Sequence, residues 1–116
     1  MNPFRLIVAT AWFIMSLILL CLPGSNIPKY PLLALIHADK WIHICLFFVL
    51  CALFCRAILH RFLFICLMGV LYGVIMEFVQ KYWVPNRSFE IMDIAADALG
   101  CVLAYVYAGK RLTGRV

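Results

Sequence analysis

Four long apolar runs, separated by short polar segments, dominate the pattern of this chain. A membrane-spanning helix needs about 20 predominantly apolar residues, and each run meets that length. We expect helices at about residues 4–22, 41–59, 62–83 and 89–108. Only His60 and Arg61 separate the second run from the third, which predicts an antiparallel helical hairpin. The pattern therefore predicts an all-α fold: a polytopic membrane protein whose single transmembrane domain, residues 1–116, is a four-helix bundle.

The composition agrees with a protein that lies in lipid. The 116 residues are 67% hydrophobic and only 13% charged, whereas soluble domains are nearer half apolar and a quarter charged. The formal net charge of +5 is spread over loops and ends. We therefore interpret it as topology signals and contacts with anionic lipids, not as a nucleic-acid-binding surface. The six cysteines lie mostly within the apolar runs, where we expect them to pack as small hydrophobic residues.

The basic residues predict the orientation in the membrane. With both termini in the cytoplasm, six basic residues lie on the inner side and four on the outer side. This excess agrees with the preference of Lys and Arg for cytoplasmic loops. The inner set is Arg5, Arg56, Arg61, Lys110, Arg111 and Arg115. The outer set is Lys29, Lys40, Lys81 and Arg87.

All acidic residues of the chain are expected near the outer side. A carboxylate in a bilayer is costly, so intramembrane acids usually mark a functional site. Helices two, three and four each bring polar side chains to this depth, which predicts a shared, outward-facing polar pocket. Residues spaced by four share a helix face, as in two pairs of this set. The expected ligand-binding residues are Asp39, His43, Glu77, Gln80, Arg87, Asp93 and Asp97.

Small residues lie on the same helix faces as these acids. Gly69 and Gly73 form a GxxxG pair on the stripe of the third helix that continues to Glu77. Gly100 lies one turn beyond Asp97 on the fourth helix. Because glycine allows close helix approach, we expect the third and fourth helices to meet through their glycines, with their carboxylates opening into the pocket.

Each polar residue also has a structural interpretation. Arg87 could tie down the outer loop by pairing with Asp93, since its fork holds a carboxylate bidentately. His43 could be a hydrogen-bonding strut, Asp97 a helix–helix hydrogen bond, and Lys40 the partner of Asp39. These structural roles stay open beside the functional ones.

Acid–base chemistry is the catalytic alternative. Glu77, Asp93 and His43 are the candidate catalytic residues, because carboxyl and imidazole groups serve as general acids and bases. Carboxylates with a histidine also suit a divalent cation. No activated nucleophile is evident in the sequence, so such an enzyme would use water. Whether the protein is an enzyme, and whether it binds a metal or other cofactor, stays open.

The order of these motifs resembles the VanZ-like family. Asp39-Lys40-x-x-His43 opens one helix, Glu77-x-x-Gln80 closes the next, and Arg87 precedes Asp93-x-x-x-Asp97-x-x-Gly100. The resemblance covers about residues 38–107, with one departure, since the position of Asp97 is usually asparagine in the family. It implies a small multi-pass protein of the bacterial cytoplasmic (inner) membrane, associated through the family's name with teicoplanin resistance.

The resemblance implies no settled biochemical activity, so several functions stay open. The first is a cell-envelope accessory protein that binds a lipid-linked envelope precursor or a lipoglycopeptide such as teicoplanin. The second is a membrane enzyme acting on a lipid headgroup. Further alternatives are a proton-coupled permeation unit and a small assembly factor that binds a larger membrane protein. Membrane lipids are the expected partners, a homo-oligomer is an open option, and no nucleic acid is expected.

Overall fold

The computed structural model of the protein describes residues 2–22, 38–85 and 89–112, without the side chains of residues 38 and 39. Within these ranges the chain forms four α-helices, each long and apolar enough to cross a membrane. They are α1 (Pro3–Leu20), α2 (Ala38–Ala57), α3 (Phe62–Trp83) and α4 (Ile91–Arg111). The expected all-α, four-helix transmembrane fold is confirmed.

Two helices extend beyond the apolar runs that predicted them. α2 begins at Ala38 and so includes Lys40, and α4 continues to Arg111. A helix is held by backbone hydrogen bonds, so polar residues at a membrane interface can prolong it by a turn. Lys110 and Arg111 in the last turn of α4 also suit the partial negative charge of a helix C-terminus. These two ends therefore lie about one turn beyond the ends that hydropathy predicted.

Small side chains fill the interior of the bundle, and large ones cover its outside. Long aliphatic and aromatic side chains are exposed along the outer faces of α1 and α3, among them Phe4, Ile7, Leu63 and Leu67. Small interior residues allow the close helix approach that stabilises membrane bundles. The buried small residues include Ala9, Cys51, Ala52, Cys55, Ala57, Cys66, Ala96, Cys101, Ala104 and Ala108.

The three glycines inside the bundle contact different neighbours. A Cβ added to Gly73 would lie 2.8 Å from Oδ2 of Asp97, so α3 approaches α4 closely at this level. A Cβ added to Gly69 would lie 2.6 Å from Sγ of Cys51 on α2 and 2.8 Å from Sγ of Cys101 on α4. Gly100, however, packs on α2, where its Cβ would lie 2.5 Å from the carbonyl oxygen of Ile44. The expected close approach of α3 to α4 is therefore seen at the glycines of α3, whereas Gly100 of α4 faces α2 and not the glycines of α3.

α1 is attached to the other helices by polar contacts. Nε1 of Trp12 donates to the carbonyl oxygen of Leu46 on α2 at 3.1 Å. The hydroxyl oxygens of Ser16 and Tyr72 are 2.9 Å apart, which links α1 to α3. A hydrogen bond within an apolar environment fixes the relative rotation of two helices, since unpaired polar groups there are costly. α1 is therefore held in register against α2 and α3.

The two ends of the bundle differ in charge. We call the end that carries Glu77, Glu90 and Asp93 the acidic end. We call the opposite end, where α1 begins and α2 and α4 finish, the basic end, because it carries Arg5, Arg56, Arg61, Lys110 and Arg111. The turn from α2 to α3 lies at the basic end, and His60 within it adopts a left-handed conformation with φ of 73°.

Candidate functional site

Polar side chains from three helices lie together at the acidic end. They extend from the ends of the helices towards the middle of the bundle, and most are buried. Glu77 is 1% exposed and Asp97 is 2% exposed, although both carry carboxyl groups. The buried polar residues of this end are His43 from α2, Glu77 and Gln80 from α3, and Asp93 and Asp97 from α4.

His43 connects the two acids of α4. Its Nδ1 lies 2.7 Å from Oδ1 of Asp97, a distance that defines a hydrogen bond in the interior. Its Nε2 lies 4.0 Å from Oδ2 of Asp93. Asp93 and Asp97 are one turn apart on the same face of α4, so one imidazole reaches towards both carboxyl groups. The arrangement fixes the orientation of the ring and gives each of its nitrogens an acidic neighbour.

Lys40 brings a positive charge to the outer part of the cluster. Its Nζ lies 2.7 Å from Oδ1 of Asp93 and also forms an ion pair with the carboxylate of Glu90. Lys40 is one turn before His43 on α2, so both side chains face α4. These two pairs join α2 to the start of α4. The expected pairing of Lys40 with Asp39 stays a prediction, because the Asp39 side chain lies outside the described residues.

Glu77 ties α3 to the beginning of α4. Its Oε1 accepts a hydrogen bond of 2.9 Å from the backbone N–H of Glu90, the residue that caps α4. Glu77 also interacts electrostatically with Asp93 and His43. The first N–H groups of a helix and those just before it need acceptors from outside the helix. Glu77 thus satisfies one of these donors while contributing a further carboxyl group to the cluster.

Gln80 connects α3 to the end of α1. Its Nε2 donates to the carbonyl oxygen of Leu20 at 2.8 Å, and Leu20 is the last residue of α1. The last carbonyls of a helix have no partner within it, so this contact caps α1 from α3. Gln80 therefore joins α1 to the bundle, and its expected part in ligand binding stays a prediction.

The remaining two expected residues cannot be placed. Arg87 lies outside the described residues, and so does the side chain of Asp39. The described structure instead adds Lys40 and Glu90 to the cluster. Lys40 carried a signal in the sequence, since it precedes the site histidine by one turn. Glu90 lacked such a signal, because its position depends on where α4 begins.

Among the residues that the structure describes, the cluster contains more hydrogen-bond acceptors than donors. Four described carboxyl groups lie near one ammonium group and one imidazole, so a proton held between His43 and Asp97 has other acceptors nearby. Every buried side-chain nitrogen and oxygen of the described residues has a hydrogen-bond partner. Within the same residues, no three His, Cys, Asp or Glu side chains are grouped in a way that would hold a metal ion. The arrangement suits proton exchange and binding of hydrogen-bond donors.

Comparison with known proteins gives one match. The chain matches the family described as VanZ/LLP1 over residues 2–110. No curated protein and no solved structure matches it. The matched region contains the four helices almost completely, together with the whole polar cluster at the acidic end. The resemblance drawn from the polar motifs is thereby confirmed, and the chain belongs to the VanZ/LLP1 family.

Proposed function

We propose that this protein is a bacterial cell-envelope component of the inner membrane that binds the polar headgroup of a lipid-tailed or lipid-linked envelope molecule at its acidic end. In this proposal the acidic end faces outward and the protein acts as an accessory to resistance against a glycopeptide such as teicoplanin. One observation carries the proposal: a buried, acid-rich cluster built by three helices of an otherwise apolar bundle. Intramembrane ionisable residues mark functional sites by default.

The exposure of the cluster suggests how a ligand would enter. The side chain of Glu90 is 46% exposed, that of Lys40 is 19% exposed and that of Asp93 is 10% exposed. Glu90 therefore forms the accessible rim, and Asp93 lies behind it. An acceptor-rich rim favours a headgroup that donates hydrogen bonds through hydroxyl or ammonium groups. Sugars and amines of envelope molecules have this chemistry.

An apolar groove offers a place for the acyl tail. Its volume is about 300 Å³, and it lies between α1, α2 and α3. Tyr72 lines it and packs on Phe47, with ring centroids 5.4 Å apart, and Phe47 in turn stacks towards His43. The groove therefore begins two aromatic rings away from the polar cluster. A molecule with a polar head and an acyl chain could contact both.

Binding measurements test this proposal. The full chain in lipid nanodiscs is titrated with teicoplanin and with the same glycopeptide lacking its acyl chain. We expect Glu90→Gln together with Asp93→Asn to weaken teicoplanin binding by about 100-fold or more, because two charged hydrogen bonds are lost and each is worth about 1.5–3 kcal/mol. Lys81→Gln, which removes an exposed charge at the same end, serves as the control.

Removal of the acyl chain should weaken binding to the unaltered protein as well. Equal affinity for the acylated and deacylated molecules would exclude the groove from the site. Unchanged affinity of the Glu90 and Asp93 double variant, with the control also unchanged, would refute the proposed headgroup site.

A headgroup-modifying enzyme is the second candidate, and the geometry of His43 favours it. A histidine oriented by one carboxylate, with a second acid at its other nitrogen, has the form of a general acid–base pair. Catalysis predicts that Glu77→Gln abolishes turnover of a lipid substrate while the protein still accumulates in the membrane. Mass spectrometry of lipids from cells with and without the protein would reveal the product. Identical lipid profiles would remove this candidate.

A further inference from the structure

Three arginines from three different helices line one pocket at the basic end. Arg5 lies near the start of α1, Arg56 in the last turn of α2, and Arg111 at the end of α4. The pocket has a volume of about 480 Å³, and Tyr107 and Leu112 complete its lining. Its position at the helix ends corresponds to the boundary between the hydrocarbon core and the lipid headgroups.

These arginines lie far from the carboxylates of the chain. The sequence contains five acidic residues, of which four lie in or beside the acidic-end cluster and the fifth, Asp39, lies in the first turn of α2. No aspartate or glutamate of residues 2–22, 38–85 and 89–112 is therefore at the basic end. Like charges brought together without a counter-charge repel one another, so an anion in the pocket would stabilise the arrangement.

The backbone holds the pocket in shape. The N–H of Asn2 donates to the carbonyl oxygen of Ala57 at 3.2 Å, which joins the start of α1 to the end of α2. Nη1 of Arg5 lies 3.5 Å from the carbonyl oxygen of Arg56. These contacts engage part of the Arg5 guanidinium and bring its charge beside that of Arg56. A guanidinium has five N–H donors, so further donors remain for a ligand.

We propose that this pocket binds the phosphate group of an anionic phospholipid. A guanidinium fork matches the oxygens of a phosphate, and clusters of basic residues at the cytoplasmic boundary of membrane helices attract anionic headgroups. Phe4 and Ile7 on the adjacent surface of α1 are exposed and apolar, so acyl chains can pack beside the pocket. This surface favours a lipid phosphate over a free phosphate ion. The inference is independent of any ligand at the acidic end.

The competing interpretation is that the arginines only cap helix ends. The contact of Arg5 with the Arg56 carbonyl is of that type, and basic residues at helix C-termini are favourable without any ligand. Capping would make the arginines matter for stability but not for lipid selection. A lipid-binding measurement with matched variants separates the two.

The experiment measures lipid retained by the purified full chain. Native mass spectrometry in detergent is used with phosphatidylglycerol, with phosphatidylcholine, and with phosphatidylglycerol plus millimolar inorganic phosphate. The variant is Arg56→Gln with Arg111→Gln. The matched control, Arg61→Gln with Lys110→Gln, removes the same charge from residues at the same end that do not line the pocket. Thermal unfolding of each protein checks that it remains folded.

We expect selective retention of phosphatidylglycerol and a loss of affinity of about 100-fold or more in the pocket variant, because both lost guanidinium groups donate charged hydrogen bonds directly to the phosphate. The control loses only general surface attraction, about 20- to 30-fold at most. If the double variant does not accumulate, Arg5→Gln against Arg61→Gln gives the same comparison, with a loss of about 10-fold or more against about fivefold. Equal losses in variant and control, or equal retention of phosphatidylcholine, would overturn the proposal. Displacement of the lipid by inorganic phosphate would assign the pocket to a free anion and overturn the lipid assignment.

Discussion

At the scale of single residues, the hydrogen bond between His43 and Asp97 joins two buried polar side chains that would be costly to leave unpaired. Both side chains are buried, and the atoms are 2.7 Å apart. Removing one partner of a buried polar pair costs more than the pair itself contributes, because the other group is left without a hydrogen bond. An asparagine at this position would retain an oxygen that can accept from His43. The contact therefore needs an acceptor at position 97, and a carboxylate is one way to supply it.

A pair of substitutions tests this interpretation. We expect Asp97→Asn to change the free energy of unfolding by about 1 kcal/mol or less, since the hydrogen bond is retained. His43→Leu leaves the Asp97 carboxyl group without this partner and should cost about 3 kcal/mol or more. Unfolding of the purified protein in mild detergent measures both, with Cys45→Ala on the exposed side of α2 as the control. Equal decreases in the free energy of unfolding for the two variants would contradict the claim that the hydrogen bond between His43 and Asp97 stabilises the bundle.

The sequence predicted which residues gather but not how they pair. One-turn spacing placed Asp93 and Asp97 on one face of α4, and their burial agrees with that. Pairings such as that of Lys40 with Glu90 depend on how α2 and α4 are rotated against each other and on where each helix begins. Packing between helices decides both, and the pattern of polar and apolar residues along the sequence does not specify that packing. The roles of the site residues in binding remain predictions.

Close packing of α4 on its neighbours is the main feature at the scale of helices. Its buried face is made of Ala96, Gly100, Cys101, Ala104 and Ala108 below the acidic residues. At Gly100 the backbone of α2 comes so near that a methyl group would lie 3.0 Å from the nitrogen of Phe48. Close backbone approach increases van der Waals contact, which drives helix association in a bilayer.

A comparison of two glycines of α4 tests the importance of this approach. Gly100→Ala places a methyl group against fixed backbone atoms and should destabilise the bundle by about 1–3 kcal/mol. Gly109→Ala is the matched control, because no atom of residues 2–22, 38–85 and 89–112 lies within 4 Å of the added methyl group. Alanine favours a helix over glycine by up to about 1 kcal/mol, so this variant should be neutral or more stable.

Thermal unfolding in detergent distinguishes the two glycine variants. Equal stability of both would contradict the close approach of α4 to α2. The stripe of small residues on α4 was evident from the sequence. The helix that packs on this stripe was not evident, because the stripe is wide enough to contact both α2 and α3. Only the assembled bundle shows that Gly100 packs on α2.

Charge is separated along the whole molecule. Carboxyl groups are concentrated at one end, and arginines and lysines dominate the other, including Arg5, Arg56 and Arg111. The excess of basic residues on the cytoplasmic side is the strongest general rule for the orientation of membrane helices. The basic end is therefore expected in the cytoplasm, and the acidic cluster on the outer side.

Reporter fusions measure this orientation. A fluorescent protein attached after Val116 should be fluorescent, because it folds in the cytoplasm, and alkaline phosphatase at the same point should be inactive. Phosphatase inserted after Pro85, between α3 and α4, should be active. The opposite pattern would place the acidic cluster in the cytoplasm and would remove the proposal that it meets envelope molecules from outside.

Site-specific photocrosslinking tests the central claim most directly, namely that an acylated envelope molecule binds at the acidic end. A photoreactive amino acid replaces Phe89, which lies beside Glu90, or Leu59, which is exposed at the basic end. Membranes containing each protein are irradiated with tagged teicoplanin. The account predicts labelling at position 89, prevented by excess untagged teicoplanin and reduced by Glu90→Gln, with little labelling at position 59. Labelling confined to position 59, or equal at both positions, would contradict it.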